Sequence, residues 1–254
     1  MMKLLVLGCP DQSENHYTRY TGEILRAEGL NWFAIEEFGI QNSAYLSDYA
    51  AVILTRCVLT RDQIEQLVDY VKEGGRLVCF RPCVRLGEAL GLEPAFSAQK
   101  GGYVRLDLSH PACRGLSAAP LQNHGLADHW RLPAGDALAV AGSVTVDREE
   151  TSGMPWLIFG KCGRGTIAVF TADLPALVAA VRQGDPDRAN TLSGGIDGIY
   201  RASELFVGHL DESCAYVPQA DVFTALLANV IDRLIGHPTP RFWYYPQLSQ
   251  RSVL

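Results

Sequence analysis

Cys83 is the residue of this sequence whose type and position most directly suggest chemistry. It lies in the stretch GGRLVCFRPCVRLGEALGL, residues 74–92, where an apolar strand, Leu77 to Phe80, runs into a short turn and then a helix. Some α/β enzymes place a nucleophile at such a junction, and a cysteine attacks there as its thiolate. The alternative is that Cys83 is a small buried residue of the scaffold, as most free cysteines are.

A second group of candidate residues is polar and lies in three later segments, LQNHGLADHW, RQGDPDRAN and GIYRASELF. Amide, imidazole, carboxylate and guanidinium groups can hydrogen-bond the hydroxyls of a sugar, and arginine can also hold a carboxylate through two parallel hydrogen bonds. The segments supply such groups at Gln122, His124, Asp128, Arg182, Gln183, Asp185 and Arg201. Two interpretations stay open: a shared polar pocket, or a core histidine beside loops held by their own Arg–Asp pairs.

Neither a metal site nor a cofactor is expected. His124 and Asp128 are four residues apart and would share one face of a helix, but Gly125 and its neighbours favour strand and turn. The cysteines form no CxxC pair of the kind that zinc sites use. The segment GKCGRG is typical of a hairpin turn and has no following Lys-Ser/Thr, so it predicts no phosphate-binding loop.

Composition and charge exclude several classes of function. The 254 residues are 48% hydrophobic and 20% charged, with a net charge of −6, and show no clustered basic residues of the kind that bind nucleic acid. No apolar run is long enough to span a membrane, and no basic amphipathic stretch suits a membrane surface. Seven scattered cysteines predict free thiols rather than a disulfide framework, and we expect a cytoplasmic protein.

The first ninety residues alternate between strand and helix. Continuous apolar runs predict buried parallel strands at 3–9, 32–38, 50–55 and 76–80. Helical spacing predicts helices at 17–30, 61–74 and 83–92, the second of them capped by Thr60. Ligands of parallel sheets bind beyond the carboxyl ends of the strands. The loops expected to line one crevice are therefore those that carry Cys9–Asn15, Arg56–Cys57 and Arg81–Cys83.

The rest of the chain combines short strands with two more helices. Strands and turns are predicted at 102–108, 121–132 and 137–146, and a hairpin at 155–174. Helices are predicted at 174–182 and 219–236. Because no internal repeat or low-complexity linker occurs, the simplest organisation is one domain over residues 1–240, with an antiparallel insertion at about 100–165 and an aromatic tail at 241–254.

Five stretches occur in an order and spacing that is informative: YTGEILRAEGLNWFAIEEF, GGRLVCFRPCVRLGEALGL, LQNHGLADHWRL, AVFTADLPALVAAVRQGDPDRAN and PRFWYYP. Together they resemble the class I glutamine amidotransferase-like superfamily and its ThuA-like branch, especially amidotransferase-like domains that occur next to polysaccharide-deacetylase-like regions. The resemblance implies an α/β fold, a flavodoxin-like three-layer sandwich with a mostly parallel sheet and a β-rich insertion. It implies no established activity for this branch.

A working amidotransferase site needs a cysteine on a sharp turn flanked by glycine and a His-x-Glu pair after a late strand. Here no glycine flanks Cys83, and the resemblance places Thr171 and Asp173 where the His and Glu would fall. In the similar domains we expect an acidic residue where Cys83 stands. The segment GHLDE leaves one alternative, a catalytic set of Cys83, His209 and Asp211.

The favoured function is therefore non-catalytic: an amidotransferase-like domain, without a recognisable Cys-His-Glu triad, that binds a small polar, carbohydrate-related ligand or a partner protein. In the similar domains the histidine-containing and RQG segments recur in this order, which favours a shared pocket, with Asp173 among its ligand-binding residues. The alternative, from another class, is a cysteine-dependent hydrolase or amidotransferase that uses Cys83 with His209. A homo-oligomer held by the aromatic tail is a further hypothesis.

Overall fold

The chain begins with alternating strands and helices and becomes strand-rich in its middle. A computed structural model describes residues 3–9, 17–39, 42–133, 138–189 and 201–242. Its strands are β1 (Leu4–Gly8), β2 (Phe33–Glu37), β3 (Ala51–Leu54), β4 (Arg76–Phe80), β5 (Glu93–Lys100), β6 (Tyr103–Leu106), β7 (Leu121–Gln122), β8 (Leu126–Arg131), β9 (Leu138–Thr145), β10 (Met154–Cys162) and β11 (Gly165–Phe170). Its α-helices are α1 (Thr18–Ala27), α2 (Ser43–Leu46), α3 (Arg61–Lys72), α4 (Val84–Ala89), α5 (Leu174–Gln183) and α6 (Gln219–Ile235).

The described strands form one large mixed sheet and one small antiparallel pair. The large sheet has the order β2-β1-β3-β4-β11-β10-β9-β6-β7. Its first five strands are parallel, and β10, β9, β6 and β7 continue it with antiparallel pairing. The small pair joins β5 to β8. Four antiparallel strands, β10, β9, β6 and β7, thus widen the parallel sheet, whereas β5 and β8 pair apart from it.

Helices cover both faces of the parallel strands. Side chains alternate along β1, so Leu4 and Val6 pack into one hydrophobic cluster with α1, α5 and α6. Leu5 and Leu7 pack into a second cluster with α3 and α4 on the opposite face. This arrangement of helix, sheet and helix is the α/β, flavodoxin-like sandwich that the sequence predicts.

The predicted caps of α3 are present. The Thr60 side chain accepts a hydrogen bond from the backbone N–H of Gln63, and the Gln63 side chain accepts one from the backbone N–H of Thr60. Gly74, two residues beyond the end of α3, has φ of +115°, which a residue with a side chain rarely adopts. Reciprocal capping of this kind ties the start of a helix to its own first turn.

Two parts of the chain differ from the sequence-based expectation. No strand is predicted from the sequence at the position of β5, because the β5 side chains are exposed or half-buried and show no apolar alternation. The segment 121–132 divides between two sheets, with β7 in the large sheet and β8 paired to β5.

The start of the aromatic tail packs on its own domain. Phe242 donates its backbone N–H to the Gly29 carbonyl at 2.7 Å. The Arg241 guanidinium lies 2.7 Å from the Asp232 carboxylate of α6. The rest of the tail lies outside the described residues, as do 10–16 and 190–200. Among the described helices, none has the length and apolarity that crossing a bilayer demands.

Candidate functional site

A cavity of about 450 Å³ opens at the carboxyl edge of the parallel strands. The chain reaches it after β3, after β4, after β11 and in the turn between β7 and β8, because parallel strands end at the same edge of a sheet. The polar residues that line it are Tyr17, Arg56, Arg81, Asn123, His124 and Asp173. Small and apolar side chains of α5, Ala176, Leu177 and Ala180, form another wall.

Arg81 is the first residue after β4 and stands at the sharp turn of the strand–turn–helix junction. Its φ of +42° lies in the left-handed region, which costs a residue with a side chain about 1 kcal/mol or more. Its guanidinium donates two hydrogen bonds of 2.9 Å to the Asp128 carboxylate of β8. Both side chains are mostly buried, so this bidentate ion pair helps to hold the strained turn and fixes the guanidinium at the cavity wall.

Cys83 lies two residues further on, at the N-cap of α4. Its side chain makes no capping hydrogen bond. It is half-buried and packs against the hydrophobic cluster shared with α3 and α4. The cavity is bounded instead by α5, which packs on the opposite face of the sheet.

His209 and Asp211 lie near each other but make separate contacts. The His209 ring stacks on His124, with ring centroids 4.1 Å apart and planes 15° apart, and its Nε2 lies 3.1 Å from the Ala180 carbonyl. Hydrogen bonds from Ser213 and from the Tyr103 hydroxyl lower the pKa of Asp211 to about 2.

Among the described residues, no hydrogen bond, ion pair or ring contact joins Cys83 to His209 or Asp211, or the Asp211 carboxylate to the His209 ring. The proposed catalytic set is therefore not connected by the contacts that a triad uses.

Gln122 connects β7 to the 209–211 segment and to the start of α6. Its Nε2 donates to the His209 carbonyl at 3.3 Å, and its Oε1 accepts from the Asp211 backbone N–H at 2.9 Å. Its own backbone N–H donates to the Gln219 side chain at the start of α6. Gln122 thus holds the 209–211 segment in place and positions His209 beside His124.

His124 and Asn123 line the cavity, and each carries one buried polar atom without a partner. Burial and the neighbouring His209 lower the pKa of His124 to about 4, so its ring is neutral at pH 7. Within the described part of the chain, the buried His124 Nε2 has no hydrogen-bond partner. Asn123 is 2% exposed and donates from Nδ2 to the Gly101 and Gly125 carbonyls, while its Oδ1 is likewise unpartnered. Buried polar atoms without partners are costly and are suited to a ligand's hydrogen bonds.

Asp173 provides the acidic group of the cavity. Its carboxylate caps α5 by accepting from the Ala176 backbone N–H at 3.5 Å. Burial raises the pKa of Asp173, and the charges of Arg56 and Arg81 partly oppose that rise. Burial and the nearby Asp173 also raise the pKa of Tyr17. The cavity therefore combines two cations, one carboxyl group, a neutral imidazole, an amide and a phenol.

The remaining candidates of the polar group lie outside the cavity wall. Arg182 forms an exposed ion pair of 3.4 Å with Asp221 of α6. Gln183 is the exposed last residue of α5, and Asp185 accepts from the Asp187 backbone N–H to begin a 3₁₀ turn. Arg201 is exposed and precedes another 3₁₀ turn. Of the polar pocket proposed from sequence, the structure brings His124 and Asp173 to the cavity, with Asp128 and Gln122 supporting its walls.

Four cavity residues, Tyr17, Arg56, Arg81 and Asn123, are not among the ligand-binding candidates proposed from sequence. A signal for the two arginines exists in the sequence, because both follow strands whose carboxyl ends are expected to line a crevice. Loop 10–15, expected at the same crevice, lies outside the described residues. Over the described ranges, no three His, Cys, Asp or Glu side chains are grouped as metal ligands would be.

The fold is shared with solved structures at low sequence identity. No family model matches the sequence, and no curated protein matches it significantly. A ThuA-like protein from Bacteroides uniformis has 12% identity and a TM-score of 0.54, with 93% of this chain and 94% of that chain covered. A cytoplasmic protein from Salmonella typhimurium has 15% identity and a TM-score of 0.55, with 92% and 99% covered.

A β-galactosidase from Bacillus circulans sp. alkalophilus has 13% identity and a TM-score of 0.56, with 94% of this chain and 32% of the enzyme covered. The chain spans about a third of the length of the glycosidases it matches first. These likenesses establish the fold, which this chain shares with the ThuA-like protein, as the sequence resemblance implied.

Proposed function

We propose that this chain is an amidotransferase-like domain that binds a small polar, carbohydrate-related ligand at the carboxyl edge of its sheet and performs no cysteine-dependent catalysis. The observation that carries the proposal is Arg81. The residue at the sharp turn after β4 is an arginine locked to Asp128, and it faces a polar cavity. A guanidinium at that position can hold a ligand but cannot act as a nucleophile.

The placement of the thiol supports the absence of cysteine chemistry. A thiol nucleophile needs a base within hydrogen-bond reach and access to the substrate. Cys83 packs toward α3 and α4, whereas His209 stacks on His124 beside α5.

The mixture of groups in the cavity suits a sugar or a sugar acid. The neutral His124 and the Tyr17 hydroxyl can exchange hydrogen bonds with hydroxyl groups. Arg56 and Arg81 can hold an anionic group, and the apolar wall of α5 can contact the C–H face of a sugar ring. A volume of about 450 Å³ lies within the range of small-molecule sites.

Several structural neighbours act on carbohydrates, which supports the same ligand class. They include the β-galactosidase, an exo-β-1,4-mannosidase and a carbohydrate deacetylase, each of which is matched over about a third of its length or less. We also place the protein in the cytoplasm. All seven cysteines are free thiols, and the Salmonella neighbour is described as cytoplasmic.

Titration calorimetry with glucuronate and with glucose tests the binding proposal. We expect glucuronate to bind, and Arg56→Gln to weaken its binding about tenfold or more, because a charge-assisted hydrogen bond is worth roughly 1.5–3 kcal/mol. Arg85→Gln is the control, since Arg85 is exposed on α4 and does not line the cavity. Absence of binding by both sugars, or equal weakening by both variants, would contradict the proposal.

Ammonia release from glutamine tests the catalytic alternative. We expect none from the wild type or from Cys83→Ala. Release by the wild type that Cys83→Ala abolishes, with the variant still folded by circular dichroism, would support the cysteine-dependent enzyme instead.

A further inference from the structure

Cys9 and Cys57 lie side by side at the carboxyl ends of adjacent parallel strands. Leu7 of β1 is in register with Leu54 of β3, and the Thr55 backbone N–H continues the ladder by donating to the Leu7 carbonyl at 2.9 Å. Cys9 follows β1 directly, and Cys57 lies three residues beyond β3. Neighbouring strands are about 4.8 Å apart, within the Cα separations that a disulfide bridges.

The two thiols contact each other and differ in environment. Cys57 is 5% exposed and Cys9 is half-buried, and a side-chain hydrogen bond joins the two thiols. That hydrogen bond lowers the pKa of the Cys9 thiol. The same bond, together with burial, raises the pKa of Cys57. Of the two thiols, Cys9 is thus the one that loses its proton more readily.

The other thiols offer no equivalent. Burial raises the pKa values of Cys79, Cys113, Cys162 and Cys214. Cys83 packs on the hydrophobic cluster of α3 and α4. The Cys9–Cys57 pair therefore differs from the rest of the cysteines in the contact between its two thiols.

From this geometry we propose that Cys9 and Cys57 form a redox-active dithiol that peroxide converts to a disulfide. The Cys9 thiolate attacks one oxygen of hydrogen peroxide, the S–O bond forms, the O–O bond breaks and hydroxide leaves. The Cys57 sulfur then attacks the sulfenic sulfur of Cys9, the S–S bond forms, the S–O bond breaks, and the oxygen leaves as water with the proton of Cys57. Two thiols lose two electrons in total, and one peroxide becomes two waters.

The bond would form next to the ligand cavity. Arg56, which lines the cavity, immediately precedes Cys57. The Thr55 hydroxyl lies 3.0 Å from the Thr18 hydroxyl of α1 and 3.0 Å from the Leu7 carbonyl of β1, so the segment after β3 is held to β1 before any oxidation.

Peroxide treatment of the full chain, followed by alkylation, proteolysis and mass spectrometry, tests the proposal. We expect one disulfide-linked peptide pair containing Cys9 and Cys57, reversed by dithiothreitol, with the other five cysteines alkylated. At pH 7 the Cys9 thiol should be consumed about tenfold or more faster than Cys162, which is also half-buried.

Three variants test the oxidation of Cys9 and the formation of the disulfide separately. In Cys57→Ser, Cys9 should stop at sulfenic acid, which dimedone traps. In Cys9→Ser, Cys57 should stay reduced, and in the control Cys162→Ser the disulfide should form as in the wild type. The wild-type measurement tests the proposal by itself, so the test remains valid if a variant fails to fold. Consumption of Cys9 no faster than Cys162, or wild-type Cys9 oxidised while Cys57 remains a thiol, would overturn it.

Discussion

Arg81 stands at the sharp turn of the strand–turn–helix junction, two residues before the candidate nucleophile Cys83. Its backbone conformation is left-handed, and its side chain is committed to Asp128 through two hydrogen bonds. The same turn that would expose a reactive atom instead fixes a cation at the cavity wall.

A double-mutant cycle measures how strongly this pair is coupled. We expect Arg81→Ala and Asp128→Ala each to destabilise the fold, because each leaves a mostly buried charge unpaired. The coupling free energy from urea unfolding should be about 1–3 kcal/mol. The exposed pair Arg61–Glu65 is the control, with an expected coupling of about 0.5 kcal/mol or less. Equal coupling in the two pairs would mean that the Arg81–Asp128 contact does not hold the turn.

His124 makes stability depend on pH. Its folded pKa is about 4, below the ordinary value of about 6.5. The unfolded chain therefore takes up a proton that the folded chain does not. The full free energy of unfolding is present above about pH 6.5, where the ring is neutral in both states. As the pH falls toward 4, protonation of His124 in the unfolded chain lowers that free energy by at most about 3 kcal/mol. Partial exposure makes that figure an upper limit.

His124→Gln should flatten this dependence. Between pH 7 and pH 4.5 the variant is expected to lose less unfolding free energy than the wild type, measured by urea denaturation at each pH. Asp173, whose pKa is raised, acts in the opposite direction in both proteins, so the difference between them isolates His124. The exposed His237→Gln should match the wild type. A slope unchanged by His124→Gln would refute the neutral imidazole.

At the scale of elements, the contact between α4 and β8 fixes the junction that carries Arg81. Gly87 of α4 lies directly against the ring of Trp130, with no room for a Cβ. Trp130 is 2% exposed and belongs to the same strand as Asp128. The close approach of α4 to β8 therefore keeps Asp128 within reach of Arg81.

Gly87→Ala tests this packing. Alanine favours a helix by about 1 kcal/mol over glycine, but overpacking against Trp130 should outweigh that gain and destabilise the fold by about 1–3 kcal/mol. Gly125→Ala is the control, because a Cβ on Gly125 would meet no described atom within 4 Å, and it should change the urea midpoint little. A stabilised Gly87→Ala would show that α4 can shift away from β8 without cost.

The elements themselves were largely predictable from sequence. Apolar runs located β1, β3 and β4, and Thr60 located the start of α3. These signals are local, since burial on both faces requires continuous apolar residues and a helix start requires a cap. The strand β5 escaped prediction because it is an exposed partner of β8 and carries no such pattern.

At the scale of the whole molecule, the cavity depends on the contact between the parallel strands and the antiparallel strand β8. The Asp128 backbone N–H donates to the Thr171 carbonyl at 2.9 Å, which places β8 beside the end of β11. That contact brings His124 and Asp128 to Arg81, across 43 and 47 positions of sequence.

Long-range pairing of this kind leaves no local signal, so the site was only partly predictable. The sequence predicted the edge of the sheet and named His124 as a candidate, but it left open whether the Arg and Asp residues form a pocket or local contacts. In the structure Arg182 pairs with Asp221, and Asp185 begins a 3₁₀ turn. Arg–Asp pairs of a surface loop and ligand-binding groups have the same residue types, and only the fold separates them.

The most direct test of the ligand site observes the cavity arginines while a ligand is added. We would record the Nε–Hε signals of ¹⁵N-labelled arginine side chains during a titration with glucuronate. We predict saturable shifts of the Arg56 and Arg81 signals, with those of the exposed Arg61 and Arg85 unchanged. Signals of Arg56 and Arg81 that stay fixed, or shifts shared equally by all four arginines, would contradict a ligand site at this edge of the sheet.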